Sequence, residues 1–243
     1  MSLRIALVGY GRMGQAVEKE ALGRGHTIVA RIDANEISAF DQLTADQADA
    51  IIEFTHPESA LDNFRRLLPT GIPLVTGTTG WQAELEALRN QVEKNDFCFL
   101  WSSNFSPGVN ILFQLNQRLA QIMNQHPEFD PYVEESHHRH KKDAPSGTAI
   151  SLAEQVIAGL DRKSTWATDA LRNRPPHPDE LSVAYTRAGE IIGRHQISYI
   201  SDIEEIRIGH QAFNRRGFAL GAVIAAEWLQ GKRGFYNFTE IFE

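Results

Sequence analysis

The chain has 243 residues, of which 42% are hydrophobic and 23% charged, the balance of a globular protein with one large or two modest domains. Its formal net charge of −7 argues against a nucleic-acid binder that works by bulk attraction to phosphates, although a local basic pocket for a small anion is compatible with it. The single Cys98 excludes an intrachain disulfide, no apolar run reaches the ~20 residues of a membrane span, and the start MSLRIALVGYG lacks the regions of a signal peptide, so we expect a cytoplasmic protein.

The first half of the chain alternates predicted strands with predicted helices. A helix is expected from Arg12 to about Leu22, and PESALDNFRRLL and WQAELEALRNQVEK also have helical spacing of apolar residues. The predicted strands are Leu3–Val8, His26–Asp33, Asp49–Phe54, Ile72–Gly77 and Asp96–Trp101. Repeated β-α-β units with continuous apolar strands predict an α/β, Rossmann-like domain whose parallel sheet is covered on both faces.

The pattern changes after about Pro107. GVNILFQLNQRLAQIM and TAISLAEQVIAGL predict helices, and the proline-rich stretch Arg162–Glu180 predicts an irregular loop. The strand-like runs LSVAYTR, RHQISYI and EEIRIGH follow without intervening helices, which predicts a smaller α+β domain with a mixed or antiparallel sheet. The apolar tail FALGAVIAAEWLQG is expected to pack back on the first domain. We therefore predict a discontinuous dinucleotide-binding domain, 1–107 with 216–243, and a substrate and oligomerisation domain, 108–215.

A glycine-rich turn, GYGRMG, lies between the first predicted strand and helix. Gly9, Gly11 and Gly14 have the G-x-G-x-x-G spacing in which glycines permit a tight turn, a close approach to pyrophosphate and close helix–strand packing. Asp33 closes the second strand, at the place where a carboxylate accepts hydrogen bonds from the adenosine ribose. Ala34 and Asn35 follow it, so no arginine is placed for a 2′-phosphate, and NADH is favoured over NADPH.

Three further loops follow predicted strands. EFTHPE (Glu53–Glu58), GTTG (Gly77–Gly80) and SSNFSPG (Ser102–Gly108) lie at the carboxyl ends, where open α/β sheets bind ligands. Each loop taken singly has the composition of an ordinary β-α turn. Together they outline a cleft.

The segment VEESHHRHKKDAPSGTA concentrates positive charge in an acidic chain. If His137–Lys142 is a strand, His137, Arg139 and Lys141 share one face, and His138, His140 and Lys142 share the other. A solvated basic edge, a metal site on His138 and His140, and an anion site with acid–base chemistry are alternatives. The metal site ranks last because neighbouring cations repel a metal ion and no further ligands stand at a familiar spacing.

The residues after the basic run favour the anion site. Ser146 is a good N-cap for the next predicted helix, and Gly147 and Thr148 are then its first residues. Free N–H groups at such a terminus bind a carboxylate or phosphate. The segment therefore predicts a pocket for a small dianionic substrate.

The ordered segment E-x-H-H-R-H-K-x-D-A-P-S-G-T-A resembles the signature of the 4-hydroxy-tetrahydrodipicolinate reductase family, long called dihydrodipicolinate reductase, of diaminopimelate and lysine biosynthesis. GRMG, FT-x-PE, GTTG, NFS-x-G-V-N and R-x-G-x-x-x-G-x-H (Arg187 to His195) occur in the family's order, so the resemblance covers most of the chain. The glycine loop is one residue shorter than in many relatives, and the SSNF segment has serine where alanine or proline is common in the family.

The resemblance implies hydride transfer from NADH or NADPH to a cyclic dicarboxylate, in a homotetramer built through the sheet of the second domain. It implies that His137 gives or takes a proton, that Lys141 is a second proton donor, and that His138, Gly147 and Thr148 contact the substrate. No metal is expected, and Arg139, His140 and Lys142 have no assigned role. The residues expected to bind the cofactor are Gly9, Tyr10, Gly11, Arg12, Met13, Gly14, Asp33, Phe54, Thr55, Gly77, Thr78, Thr79, Ser103, Asn104, Phe105 and Ser106.

Two alternatives compete with the reductase. A two-domain amino-acid dehydrogenase would share the glycine loop but would not need the H-H-R-H-K and P-S-G-T motifs. A non-catalytic dinucleotide-sensing protein would need a partner-binding or DNA-binding module, which neither the charge nor the motifs supply.

Overall fold

A computed structural model describes residues 2–33, 37–168 and 174–243 of the chain. Contacts within the chain divide it into two compact units, Met1–Asn110 with Arg216–Glu243, and Ile111–Arg215. Ala34 and Asn35, on which the cofactor prediction partly depends, lie outside the described residues. Within the described ranges, none of the helices combines the length and the apolar character that crossing a membrane requires.

Strands and helices alternate through the first half of the chain, and strands dominate the second. The elements are β1 (Arg4–Val8), α1 (Arg12–Gly23), β2 (Thr27–Ile32), β3 (Ala50–Glu53), α2 (Pro57–Leu67), β4 (Leu74–Thr76), α3 (Leu85–Lys94), β5 (Cys98–Trp101), α4 (Pro107–Met123), β6 (Asp130–His137), α5 (Gly147–Gly159), β7 (Thr165–Ala167), β8 (Glu180–Arg187), β9 (Gly193–Ile200), β10 (Glu205–Ala212), α6 (Arg216–Trp228) and β11 (Gly234–Asn237). Short 3-10 helices occupy Ile37–Gln42, Leu68–Thr70, Gln82–Glu84 and Phe238–Phe242.

The first unit is built on a parallel sheet with the strand order β11-β5-β4-β3-β1-β2. Successive residues of β1 enter different cores, because side chains alternate across a strand. Ile5 and Leu7 pack with residues of α1 and α6, whereas Ala6 and Val8 pack with residues of α2 and α3. The Rossmann-like fold with helices on both faces is therefore confirmed, and the apolar tail helix is part of this unit.

The second unit contains a mixed sheet with the order β10-β9-β6-β8-β7. Strand β9 pairs antiparallel with β6 and β10, while β8 runs parallel to β6 and β7. One face is buried against α5, where Val133 and Ile197 pack with Leu152 and Val156. The second sheet thus has the mixed character that the sequence predicts.

Two local predictions were wrong, and one strand was missed. The strand β6 ends at His137, because the amide of Lys141 bonds the carbonyl of His138 at 3.1 Å and turns the chain. The predicted alternation of side chains through Lys142 therefore does not occur. Thr165–Ala167 in the predicted loop is a strand paired with β8. The strand β11 was not predicted; it is only four residues long and joins the edge of the sheet beside β5.

Candidate active site

The glycine loop has the shape that a dinucleotide pyrophosphate requires. Gly9 has φ of 86°, and a Cβ placed on it would lie 2.0 Å from the carbonyl oxygen of Phe54. A Cβ on Gly14 would lie 2.3 Å from the carbonyl oxygen of Gly9, so both positions are closed by backbone. A Cβ on Gly11 would meet nothing within 4 Å. The first and third glycines therefore serve packing, and the second leaves open space for a ligand.

The helix α1 begins directly after this open space. Its N-cap is Gly11, and no described side chain caps it, so the terminus keeps its partial positive charge for a ligand. Arg12 is exposed, whereas Met13 is partly buried against the core. A phosphate group fits this terminus.

Arg31, a charged residue of the strand β2, lies beside Tyr10 of the glycine loop. The hydroxyl of Tyr10 donates to the carboxylate of Glu18, which also pairs with Arg31, and the Arg31 guanidinium lies 5.8 Å from the centre of the Tyr10 ring. Hydrogen bonds from Arg31 and Tyr10 hold the pKa of Glu18 below its usual value. Asp33 follows β2 two residues after Arg31 and is exposed. Arg31 is thus already paired with a carboxylate.

The loops after β3 and β4 are joined to each other. The amide of Thr55 donates to the hydroxyl of Thr78 at 2.8 Å, and a Cβ on Gly77 would lie 1.9 Å from the ring of Phe54. Thr79 is exposed beside them. The two loops therefore form one surface at the carboxyl edge of the sheet.

The loop after β5 contributes both core and surface. Phe105 is 2% exposed, with its ring 4.9 Å from that of Phe238. Its side chain is therefore part of the core, and only its backbone is placed for contact with a ligand. The amide of Ser106 donates to the Asn104 side chain at 2.9 Å, while Ser103 is exposed.

In the second unit, the carboxylate of Glu135 is the centre of the candidate active site. One oxygen, Oε1, accepts from the amide of Ser146 at 2.9 Å and from Nη2 of Arg187 at 2.7 Å. The other, Oε2, lies 3.2 Å from Nδ1 of His137 and 3.6 Å from Nε2 of His195. Burial alone would raise the pKa of Glu135, but these four partners outweigh it and hold the pKa far below its usual range. The carboxylate is therefore ionised at neutral pH.

His137 lies at the end of β6 with its Nδ1 side toward this carboxylate. Its ring is 5.0 Å from that of His195 in an edge-to-face arrangement, and a Cβ on Gly193 would lie 3.1 Å from its Nε2. With Nδ1 on the carboxylate side, Nε2 is the ring nitrogen left to exchange a proton with a ligand. The geometry thus suits His137 for proton transfer through Nε2.

Glu135, His137 and His195 each also place a ligand-type atom within 4.8 Å of the others, a spacing that a metal ion accepts. The Arg187 guanidinium pairs with the same carboxylate, and a neighbouring cation opposes the binding of a metal ion. The three residues are therefore better interpreted as an acid–base cluster than as a metal site.

The turn after β6 carries the remaining basic residues. Nζ of Lys141 is 2.8 Å from Oδ2 of Asp143, and this lysine holds the pKa of Asp143 below its usual value. His138 is half-buried. The exposed side chains are Arg139, His140, whose ring nitrogen lies 3.7 Å from Glu190, and Lys142.

The N-terminus of α5 lies against the same cluster. Ser146 caps the helix, as predicted: its hydroxyl accepts from the amide of Ala149 at 3.2 Å and lies 3.3 Å from Nε2 of His195. Gly147 and Thr148 are the first two residues of the helix. Because Glu135 accepts from the Ser146 amide, one carboxylate lies beside both the His137 imidazole and the N-terminus of α5.

The sequence did not assign roles to Glu135, Arg187 or His195, although all three belong to quoted motifs. A signal existed for Glu135: it is two residues before His137, so the two side chains share a face of the strand. No such signal existed for Arg187 and His195, which come from β8 and β9.

A glycine loop on a parallel Rossmann-like sheet, with a second unit that carries an acid–base cluster beside a helix terminus, defines a nicotinamide-dependent oxidoreductase. Sequence models of one family match the chain in two parts: "Dihydrodipicolinate reductase, N-terminus" over residues 3–105 and "Dihydrodipicolinate reductase, C-terminus" over residues 108–242. The chain is also 39% identical over 239 residues to the 4-hydroxy-tetrahydrodipicolinate reductase of Christiangramia forsetii, covering 98% of this chain and 97% of that relative. The chain belongs to the dihydrodipicolinate reductase family and is an NAD(P)H-dependent reductase.

Solved structures share the fold at low sequence identity. A dipicolinate-bound dihydrodipicolinate reductase from Paenisporosarcina sp. TG-14 has a TM-score of 0.77 at 19% identity and covers 99% of this chain and 100% of its own. A Corynebacterium glutamicum DAP dehydrogenase in complex with DAP has a TM-score of 0.53 at 16% identity, covering 98% and 93%. The dehydrogenase alternative thus shares only the fold, whereas the family match selects the reductase.

Proposed function

We propose that this chain reduces 4-hydroxy-tetrahydrodipicolinate to tetrahydrodipicolinate with NADH or NADPH, in diaminopimelate and lysine biosynthesis. The observation that carries the proposal is the Glu135 cluster, because it joins a proton-transferring imidazole to the N-terminus of α5 in a chain of this reductase family. The named relative from Christiangramia forsetii supports the same substrate. The Paenisporosarcina structure, which holds dipicolinate, supports a small dicarboxylate as ligand.

Substrate binding is assigned to the residues around the start of α5. The backbone amides of Gly147 and Thr148, the first residues of α5, are assigned to a carboxylate group of the substrate. The ring of His138 is assigned a further polar contact with the substrate. Lys141 adds a positive charge that offsets the negative charge of a dicarboxylate. The helix terminus orients the substrate, while the lysine also serves as a second proton donor.

Proton transfer is assigned to His137. The bound nicotinamide supplies the hydride, and its phosphates and ribose are assigned to the glycine loop, Asp33 and the three loops at the carboxyl edge of the sheet. Nδ1 of His137 lies 3.2 Å from the Glu135 carboxylate, so Nε2 is the ring nitrogen assigned to exchange the proton with the substrate. Arg187 balances the charge of Glu135 and keeps this carboxylate ionised.

A turnover assay tests the proposed function. In a coupled assay, a condensing enzyme forms the substrate from pyruvate and aspartate semialdehyde, and the purified protein is expected to oxidise the reduced cofactor, followed by loss of nicotinamide absorbance. Omission of pyruvate is the control. Lack of turnover with both NADH and NADPH would contradict the proposed function. Oxidation of an amino acid with NAD would instead support the alternative of a two-domain amino-acid dehydrogenase.

NADH is expected to bind more tightly than NADPH, by about tenfold in Kd. The Asp33 carboxylate accepts hydrogen bonds from ribose hydroxyls and repels a 2′-phosphate, and Arg31 is already paired with Glu18. Titration calorimetry with both cofactors measures the ratio. Asp33→Asn should reduce the ratio of the Kd for NADPH to the Kd for NADH, because the carboxylate that repels the 2′-phosphate is removed. Equal or tighter binding of NADPH to the unaltered protein would overturn the preference.

We assign the dinucleotide-binding domain to residues 1–107 with 216–243, and the substrate and oligomerisation domain to residues 108–215. The reaction is assigned no metal.

The enzyme is proposed to be a cytoplasmic homotetramer. The exposed apolar side chains of the second unit support assembly through its sheet; they include Ile200, Ile203, Ile206 and Phe213. Light scattering of the purified protein measures the assembly.

A further inference from the structure

The strand β3 ends in a fully buried carboxylate, Glu53, which is 0% exposed. Within the described part of the chain it forms no ion pair, and burial raises the pKa of its carboxyl group, against the opposing effect of hydrogen bonds. An acidic group in such a position is costly for folding. The same strand is preceded by Asp49, an acidic residue at the opposite end of the sheet, which is paired with Arg4 at 2.7 Å.

Three hydroxyl groups satisfy the Glu53 carboxylate. Oε1 accepts from the hydroxyls of Thr55 and Thr78, the latter at 3.0 Å, and Oε2 accepts from the hydroxyl of Thr76 at 2.5 Å. Thr55 lies in the loop after β3, whereas Thr76 and Thr78 belong to the end of β4 and its loop. The carboxylate therefore connects two separate chain segments.

The threonine hydroxyls that donate to Glu53 also accept hydrogen bonds from other groups. Each hydroxyl gives its only proton to Glu53, so its oxygen is left to accept. The Thr78 hydroxyl accepts from the amide of Thr55 at 2.8 Å, and the Thr76 hydroxyl accepts from the amide of Thr78 at 3.2 Å. Asn63 of α2 donates to the Thr55 hydroxyl at 3.1 Å. The carboxylate thus sets the orientation of backbone amides in both loops.

The backbone of Glu53 adds one more link, because its carbonyl accepts from the amide of Gly77 at 3.0 Å. A packed apolar side chain would have filled this place without the cost of burying a carboxyl group. The network instead fixes backbone at the carboxyl edge of a parallel sheet, where ligands of such sheets bind.

We propose that Glu53 is a positioning residue for the nicotinamide cofactor, which holds the loops 54–55 and 77–79 in the geometry that receives it. The inference rests on the proposed function, which assigns those loops to the cofactor. Glu53 acts through Thr55, Thr76 and Thr78 and does not itself touch the ligand.

The test is Glu53→Gln, measured by NADH binding and steady-state kinetics. Glutamine keeps the shape but brings an N–H₂ group to face hydroxyls that also donate, so the network must rearrange. The Kd and KM for NADH are expected to rise by about tenfold or more, while kcat at saturating NADH and KM for the dicarboxylate stay within about twofold. Thr76→Val, which removes a single donor to Oε2, should weaken NADH binding in the same direction and serves if the glutamine variant does not fold.

Asp49→Asn is the matched control, since Asp49 directly precedes β3 and lies at the end of the sheet away from the loops. It should lower the melting temperature without changing the Kd for NADH. Unchanged NADH binding in Glu53→Gln overturns the inference, or in Thr76→Val where the glutamine variant does not fold, as does an equal loss in Asp49→Asn. If the unaltered protein does not bind NADH, the proposed function is contradicted as well. If the unaltered protein binds NADH, the variants test only the role of Glu53.

Discussion

Replacement of His137 by glutamine is expected to lower kcat by about 10²–10⁴-fold, the usual contribution of a positioned acid or base. Its Nδ1 lies 3.2 Å from the ionised Glu135, which leaves Nε2 to exchange the proton. Glutamine has a similar polar end but no group that can act as a general acid or base. Because proton transfer belongs to the transition state, KM for the dicarboxylate should change little. Steady-state kinetics with saturating cofactor measure both quantities.

The control for this variant is His140→Gln, three residues further along the same basic segment. The side chain of His140 is 69% exposed and its nearest charged partner, Glu190, is 3.7 Å away. Its replacement should leave kcat within about twofold, since substitutions at exposed positions have small effects. A kcat for His137→Gln as high as that of the control would remove His137 from the catalytic role.

Replacement of Glu135 by glutamine is expected to lower the free energy of unfolding by about 3–5 kcal/mol, the cost of breaking a buried ion pair by removal of one partner. The side chain of Glu135 is 0% exposed, and its loss leaves Arg187 and His137 without their carboxylate. Activity should fall as well, because the ring of His137 loses the charge that orients it. Urea denaturation and kcat measure the two effects.

The pH dependence of this stability loss has a defined sign. The native pKa of Glu135 is depressed, so its contribution is complete above the unfolded pKa of about 4.3 and is lost as the pH falls toward the native value. The difference between variant and unaltered protein should therefore be constant near neutral pH and narrow in acid. Glu134→Gln is the control, since this neighbour is exposed on the other face of β6 and should change stability by at most about 0.5 kcal/mol. Equal stability of Glu135→Gln and Glu134→Gln would contradict the central role of this carboxylate.

Local sequence patterns predicted the features that depend on neighbouring residues. The glycine loop, the start of α1 and the capping of α5 by Ser146 follow from a few residues in a row, because turns and helix caps are set by short-range geometry. The parallel sheet was predictable for a similar reason, since apolar strands alternate with helices along the chain.

Features that depend on distant pairing were not predictable in the same way. Glu135 was visible in a motif, but its partners Arg187 and His195 come from β8 and β9, and only the sheet register brings them together. The end of β6 at His137 was missed because the turn depends on hydrogen bonds that the basic composition does not reveal. The short strand β11 is stabilised by pairing with β5 and by the stacking of Phe235 on Phe99, a contact across 136 positions that no local pattern indicates.

The discontinuous first unit imposes an order on folding during synthesis. The unit needs α6 and β11, which leave the ribosome only after the whole of 111–215 has emerged. Until then its sheet has β5 at an unpaired edge, and the core around β1 lacks Ala222 and Val223. The second unit is continuous and can complete its sheet earlier. The nascent chain therefore carries an exposed strand edge for that interval, a state in which chaperones protect proteins from misassembly.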